Sequence, residues 1–429
     1  VAQGFETRQI HAGEVIDAQA GARITPIYQT AGYVFDSFDE AESRFSDRGD
    51  LPVYSRQSNP SNRVVEGRIA DLEGGRGALL TGSGQAAIFT AIYALASAGD
   101  RILVTTSLYE GTKQLFRNSL SRQGLEFVFI DAEADDDEWR RHVTERTKAI
   151  YTETIPNPKN DIPDLARLAR LAHEAGIPFV VDNTVATPYL ARPIEWGADI
   201  VVHSTSKWLG GHGAVLGGAV VDAGTFDWTA HAQRFPQFHR SPRPGTPSYA
   251  ERFGTGAFLP FAVTVANEYG PTLPATSAWL LLLGIETLSL RLDRHVANTQ
   301  RVAEWLEQHP AVAGVDYPGL PSSPWHERAR TYLPKGPGSV LAFDVRGGRE
   351  AARTVLDALR LVTRMTHIGD VRTLAIHTGS TIHGALTEPD RLALGITPGL
   401  IRLSVGLETV DDVIADLDQA LARVVAPGR

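Results

Sequence analysis

Of the 41 basic side chains in this 429-residue sequence only five are lysine, Lys113, Lys148, Lys159, Lys207 and Lys335, and cysteine is absent. Arginine stays protonated, so any amine nucleophile must be one of those five. Without a thiol there is no disulfide, no Cys-ligated zinc, no iron–sulfur cluster and no thiolate nucleophile. Lys207 has the most suggestive surroundings. In Asp199–Gly213, DIVVHSTSKWLGGHG, an apolar run passes into two hydroxyl residues flanking the lysine, then an aromatic and a glycine cluster. This sets Lys207 at the carboxyl end of a strand, the edge at which open α/β sheets bind ligands. An isolated S-x-S-K reads equally well as a solvated lysine opening a turn. Twenty-five residues earlier the strand-like IPFVVDNT ends in Asp182, and a lone acid there reads as a helix cap or a turn residue. Paired with a lysine at a nearby strand end, it suggests a carboxylate that keeps a pyridine nitrogen protonated while the lysine holds a cofactor aldehyde as an imine. The protonated ring would then draw electrons from a carbanion at a substrate Cα.

A third segment, Thr81–Ala87 (TGSGQAA), stands just before a helical pattern. Its glycines let backbone approach an anion, and the amides of Ser83, Gly84 and Gln85 fall where a helix N-terminus favours phosphate. Alone this is weak, since small residues before a helix often mean only close packing. Ser204 and Ser206 could add hydroxyls to the same phosphate.

These residues need strand ends to hold them. Short apolar runs at 101–106, 126–130, 148–153, 177–182, 199–203 and 216–221 alternate with helical patterns at 85–97, 110–122 and 164–175. Near-continuous apolar strands alternating with helices predict an α/β fold with a mostly parallel sheet covered on both faces. The pattern changes near residue 270. One long helix or two are expected over 277–309, strands at 339–345, 373–377 and 400–405, and a terminal helix at 409–424. Three parts follow: an irregular arm at 1–60 of the kind that reaches a neighbouring subunit, an α/β domain at 61–270, and a smaller α+β domain at 271–429. Residues 235–247, rich in Pro and Arg, read as an exposed loop.

Composition narrows the partners. With 43% hydrophobic and 21% charged residues the chain is an ordinary globular protein, and its net charge of −9 argues against nonspecific binding to nucleic acid or anionic membrane. The longest apolar run, Trp279–Ile285, is far short of a membrane span, and the first residues show no leader pattern, so a cytoplasmic location is expected.

The set YSRQSNPS, TGSGQAA, SLYEGT, ETIPNP, VVDNT, HSTSKWLGGHG and LIRLSVGLE, in this order and spacing, resembles the Cys/Met-metabolism family of pyridoxal-phosphate enzymes, of fold type I. Within it, SGQAA, GGHG and the stretch from Leu280 to Pro310 look closest to the O-acetylhomoserine sulfhydrylase branch. The resemblance implies a seven-stranded, mostly parallel sheet domain plus a smaller C-terminal domain, and pyridoxal 5'-phosphate as cofactor. It implies that Lys207 carries the cofactor and shuttles protons, that Asp182 faces the pyridine nitrogen, and that Ser83, Gly84, Gln85, Ser204 and Ser206 cup the phosphate with Tyr54 and Arg56 of a neighbouring subunit. Tyr109 would stack on the ring, Asn157 would sit near its phenolic oxygen, and Arg402 would clamp the substrate carboxylate as a bidentate pair. Read without the resemblance, Tyr109 could be a core tyrosine and Arg402 half of an internal ion pair. The implied partners are a γ-substituted amino acid and a small nucleophile, and the implied assembly is a homotetramer of two active dimers. The implied reaction is γ-replacement on an O-acylated homoserine by sulfide or a thiol, through a vinylglycine-type ketimine. γ-Elimination, or replacement by a non-sulfur nucleophile, uses the same residues. A catalytically silent scaffold would not need Lys207, Asp182, Tyr109 and Arg402 together.

Several positions depart from the family pattern. His367 stands where asparagine or serine is expected in the substrate site, Thr378-Gly379 replaces Pro-Ala, Gln57 and Ser58 replace larger apolar residues, Ser206 replaces threonine, and 239–247 is an insertion. Clustered at the γ-substituent pocket, these changes would alter the choice of substrate or nucleophile, and His367 would add a titratable group there.

Overall fold

The computed structural model describes residues 3–17, 19–45 and 51–424. The other residues of the 1–60 arm and the last five of the 271–429 segment lie outside this description. The first sheet has seven strands: β1 (Gly77–Thr81), β2 (Arg101–Thr105), β3 (Glu126–Ile130), β4 (Thr147–Glu153), β5 (Phe179–Asp182), β6 (Ile200–His203) and β7 (Gly218–Asp222), in the order β1-β7-β6-β5-β4-β2-β3. Pairings are parallel from β6 through β5, β4 and β2 to β3, and β7 runs antiparallel to both its neighbours.

Strand periodicity builds a core on each face. Leu103, Ile150, Val181, Val201 and Val221 pack on one side with the helices Pro60–Glu73 and Leu165–Glu174. Ile102, Val104, Tyr151, Val180, Val202 and Val220 pack on the other with Gly84–Leu95 and Phe258–Tyr269. Both faces are dry, which is why these strands read as continuous apolar runs.

A second sheet follows. It comprises β8 (Val312–Asp316), β9 (Val340–Val345), β10 (Thr363–Arg364), β11 (Leu374–His377) and β12 (Leu400–Ser404), in the order β10-β11-β12-β9-β8. The helices Leu288–Gln308, Gly348–Ala358 and Val410–Leu421 bury Val302, Leu306, Val355, Val413 and Leu417 in its core.

The structure departs from the sequence expectations in identifiable places. β1, GALLT, opens on glycine and carries no β-branched residue before its last position, so nothing marked it as a strand. β8 contains Gly314 and exposes two of its five positions. Of the one helix or two expected over 277–309, the structure has two, Ala275–Ile285 and Leu288–Gln308, meeting at 62°. The arm is not wholly irregular, since Phe5–His11 and Phe38–Phe45 are helical. Within 235–247, Phe235 and Phe238 are fully buried around Trp228, so the start of that segment belongs to the core.

One buried carboxylate joins the two strands that end at the site. Glu73 closes the helix Pro60–Glu73, and its Oε1 accepts hydrogen bonds from Asn183 Nδ2 at 2.8 Å and from His203 Nε2 at 2.6 Å. Asn183 follows the last residue of β5, and His203 is the last of β6. Glu73→Ala would leave two buried donors unpaired, a cost of about 3 kcal/mol; thermal unfolding should show a clearly lowered midpoint, with Glu73→Gln, which keeps an accepting oxygen, much less affected.

Candidate active site

The carboxyl ends of the parallel strands open onto one cavity of about 330 Å³ lined by Ser83, Gly84, Gln85, Tyr109, Glu153, Asn157, Asp182, Ser204, Ser206, Lys207, His367 and Arg402, among others. Residues spread over some 320 positions of sequence thus meet at one sheet edge. Leu216 and Met365 stand at its mouth, 71% and 48% exposed, and Met365 is the only methionine.

Lys207 sits on the turn that leaves β6. Burial, and next the nearby Arg402 guanidinium, push its amine down to about 8. A substantial neutral fraction near physiological pH makes it usable both as nucleophile and as proton carrier. The glycine cluster after it is anchored from a later helix. Arg291, on Leu288–Gln308, donates to the carbonyls of Trp208 at 2.7 Å and Gly284, and burial pushes its pKa down to about 10. Gly211 has φ of +74°, and a Cβ there would collide with that guanidinium, so the GGHG run is needed to pass under it.

Asp182 ends β5. Its Oδ1 accepts from the Thr184 amide at 2.9 Å and the Thr184 hydroxyl at 2.5 Å, while Oδ2 receives only a long contact from Tyr151 Oη at 3.4 Å. Burial raises its pKa, and the Thr184 hydrogen bonds oppose that shift. A cationic ring nitrogen at Oδ2 would complete its environment.

Arg402, on β12, is 2% exposed. It donates to Asn157 Oδ1 at 3.0 Å and to the Thr366 carbonyl at 2.6 Å, while its Nε has no partner. No carboxylate pairs with it among the described residues, which removes the internal-ion-pair reading. Burial pushes this guanidinium down to about 10. A buried cation lining a cavity with an unused donor is built for an anion that arrives from outside. Asn157 serves it as a fixed acceptor.

The phosphate cup can be tested on the backbone. Ser83 caps the helix Gly84–Leu95, its Oγ accepting from the Ala86 amide at 3.1 Å. That leaves the Gly84 and Gln85 amides without intrahelical acceptors. A Cβ on Gly84 would stand 2.6 Å from Ser204 Cβ, so helix start and lysine turn approach as closely as a missing side chain allows. The Ser204 amide donates to Thr184 Oγ1 at 2.7 Å, and among the described residues its hydroxyl is uncommitted. Ser206 differs from expectation in detail, because its Oγ accepts from the Gly217 amide at 3.0 Å and donates to the Gly217 carbonyl at 3.3 Å, which ties the lysine turn to the start of β7. Cup, amine and acid together fit a phosphorylated pyridine aldehyde.

Tyr109 stands on the cavity wall, 46% exposed, so it is not a core tyrosine. Its amide donates to Glu153 Oε1 at 2.7 Å. Glu153 itself escaped the sequence reading. It ends β4 in direct register with Asp182 on β5, and burial, then the Asp182 charge, raise its carboxyl well above the usual range. The available signal was a second acid closing the neighbouring strand. Tyr54 and Arg56 do not reach this cavity within the chain. They line a separate hollow of about 400 Å³ with Tyr28 and Thr272, and Arg56 donates to the Asn267 carbonyl. Of the departing positions His367 and Ser206 line the cavity. Thr378 and Gly379 fall in a turn beside His377, Gln57 and Ser58 near Tyr54, and 239–247 elsewhere, so the changes do not cluster at one pocket within the chain.

Two outcomes are expected. Borohydride treatment of the cofactor-loaded protein should fix a pyridoxyl mass on the peptide holding Lys207, and Lys207→Ala should show none at any lysine. Gly84→Ala should weaken cofactor binding roughly tenfold or more, read by equilibrium dialysis, because its methyl displaces the Ser204 wall.

Comparison with known proteins gives the same answer for nearly the whole chain. Residues 6–422 match the family described as Cys/Met metabolism PLP-dependent enzyme. The homocysteine synthase of Schizosaccharomyces pombe is 44% identical over 97% of this chain and 98% of its own. O-acetyl-L-homoserine sulfhydrylase 1 of Thermus thermophilus is 45% identical over 97% and 100%. Among solved structures, a Campylobacter jejuni protein described as an O-acetylhomoserine (thiol)-lyase, with a pyridoxyl-lysine monophosphate in its chain, superposes with a TM-score of 0.90 at 35% identity, covering 98% of this chain and all of its own. Cystathionine gamma-lyase from Lactobacillus plantarum, complexed with L-serine, gives 0.84 at 34% over 99% and 100%. With sequence, fold and cavity in agreement, this chain belongs to the Cys/Met-metabolism family of enzymes that use pyridoxal phosphate.

Proposed function

We propose that the enzyme catalyses γ-replacement on O-acetylhomoserine, with sulfide or a small thiol as nucleophile, yielding homocysteine or a thioether amino acid. The observation that carries an amino-acid substrate is Arg402, a buried guanidinium with an unused donor and no acid partner, in the same cavity as Lys207. The relatives named as sulfhydrylases and homocysteine synthases support the γ-replacement and the acetyl leaving group.

When bound, the cofactor supplies an aldehyde carbon for the substrate amine and a protonated ring that draws electrons from Cα and Cβ. The chain's residues do the rest. Arg402, fixed by Asn157, holds the substrate carboxylate and so sets which Cα bond faces Lys207. Lys207, neutral often enough because it is buried, takes the Cα proton and then moves a proton at Cβ. Asp182 would keep the ring nitrogen charged, and Tyr109, on the cavity wall, would stack on the ring. Acetate departs from Cγ as a stable anion, and the nucleophile adds at the same carbon before the protons are returned. The sulfur must come from solution, because the protein has no thiol to carry it.

The same proposal assigns residues 1–60, 61–270 and 271–429 to arm, cofactor domain and substrate-side domain, in a cytoplasmic homotetramer of two active dimers. Tyr54 and Arg56, outside the cavity of their own chain, would complete the phosphate cup of a neighbour. Mixing inactive Lys207→Ala with Arg56→Ala subunits under exchange conditions should regain activity that neither shows alone.

The substrate assignment is tested by offering γ-substituted amino acids with and without sulfide and reading products by mass spectrometry. Homocysteine formed from O-acetylhomoserine only with sulfide is expected, whereas ammonia and a keto acid without sulfide would make the enzyme a γ-lyase. Arg402→Met should raise KM for the amino acid about 100-fold or more, with cofactor attachment intact.

A further inference from the structure

His367 lines the cavity but has no part in the chemistry assigned above. Its Nδ1 lies 3.0 Å from Lys207 Nζ, and among the described residues no other hydrogen bond reaches that amine. The other ring nitrogen, Nε2, is shielded from solvent and has no hydrogen-bond partner among the described residues. Burial, then Lys207, push the imidazole down to about 4, with Asp370 and the Ser206 backbone acting against Arg402 and the other two. The ring is therefore neutral in the working range. Whenever Lys207 is protonated, its ammonium has three N–H groups and no lone pair, so Nδ1 then accepts and Nε2 carries the ring proton.

We propose that His367 is a positioning residue for Lys207: its Nδ1 accepts one N–H of the amine whenever the lysine is released from the cofactor, aiming Nζ along the cavity and steadying the protonated state in which it carries a proton between substrate carbons. This rests on Lys207 being the cofactor-bearing lysine. The contact acts against Arg402 on β12, the positive neighbour that pushes Lys207 down. The other charged or titratable groups around the cavity are Asp182 at the end of β5, Glu153 at the end of β4 and Tyr109 on the wall. Asp370 stands beside His367 itself. A neutral acceptor is the one kind of partner that can hold a lysine here without adding a charge that would compete with the substrate carboxylate for Arg402.

The test compares the parent with His367→Leu, which has no acceptor, and His367→Asn, whose Oδ1 can take the place of Nδ1. In the full chain stripped of cofactor, trace acetylation across pH, read by mass spectrometry with the exposed Lys335 as internal standard, follows the titration of Lys207. Because an acceptor favours the ammonium, its loss in His367→Leu should enlarge the acid dissociation constant of Lys207 roughly three- to tenfold, moving its titration to lower pH, and His367→Asn should return it most of the way. In the holoenzyme, exchange of the Cα hydrogen of norvaline with deuterated solvent, which needs released Lys207 but no leaving group, should be slowed in His367→Leu and restored in His367→Asn. Identical Lys207 titration in all three proteins, or an equal shift in both variants, overturns the proposal. If borohydride leaves no pyridoxyl mass on Lys207 of the parent, the underlying assignment falls and this proposal with it; a labelled Lys207 with unchanged titration overturns this proposal alone.

Discussion

A single buried carboxylate sets the spacing on which the site depends. Glu73 reaches from the end of its helix to the residue after Asp182 and to the last residue of β6, so two neighbouring strand ends are tied to one point beneath the cavity. Strand pairing alone fixes register, yet it leaves the residues beyond the last ladder bond free to diverge. With Asn183 and His203 held on the same oxygen, Asp182 and the turn carrying Lys207 leave the sheet at a fixed separation. The second tether, Arg291 of the helix Leu288–Gln308 on the Trp208 carbonyl just after the lysine, means that the lysine turn is held at both ends by buried polar groups.

The site's electrostatics follow from placing unpaired cations where water is scarce. Lys207 and Arg402 share one cavity, and each is depressed by burial. Among the described residues neither has a carboxylate as partner, while the nearby acids Asp182 and Glu153 are themselves raised by burial. Such an arrangement is costly until the cofactor aldehyde takes up Lys207 and a substrate carboxylate reaches Arg402, and that cost favours ligands that supply those groups.

Much of this was legible in the sequence because its signals are local. The apolar runs that became β2 to β6 are continuous since both sheet faces are covered, and the acid, lysine and glycine segments lie at strand ends where a reader looks first. What escaped depends on contacts between distant segments. β1 and β8 owe their strand state to their neighbours in the sheet rather than to their own composition. Glu153 gains meaning only beside Asp182 across the β4–β5 pairing, and Glu73 only once two strand ends are seen to converge on it. The family departures at 57–58, 239–247 and 378–379 were expected at one pocket beside His367, but within the chain folding disperses them. Among all the departing positions, His367 is the one whose side chain meets the lysine amine.

Met365 stands at the cavity mouth two residues from His367, and it holds the only sulfur atom in the chain. Ageing in an oxidant therefore registers at one address. Conversion to the sulfoxide puts a polar, chiral group on an apolar entrance, and because no other thioether or thiol competes, the fraction of molecules heavier by one oxygen at that peptide reports directly how many sites have been altered. A protein of a sulfur-handling family thus confines its own sulfur chemistry to the doorway through which its substrates pass.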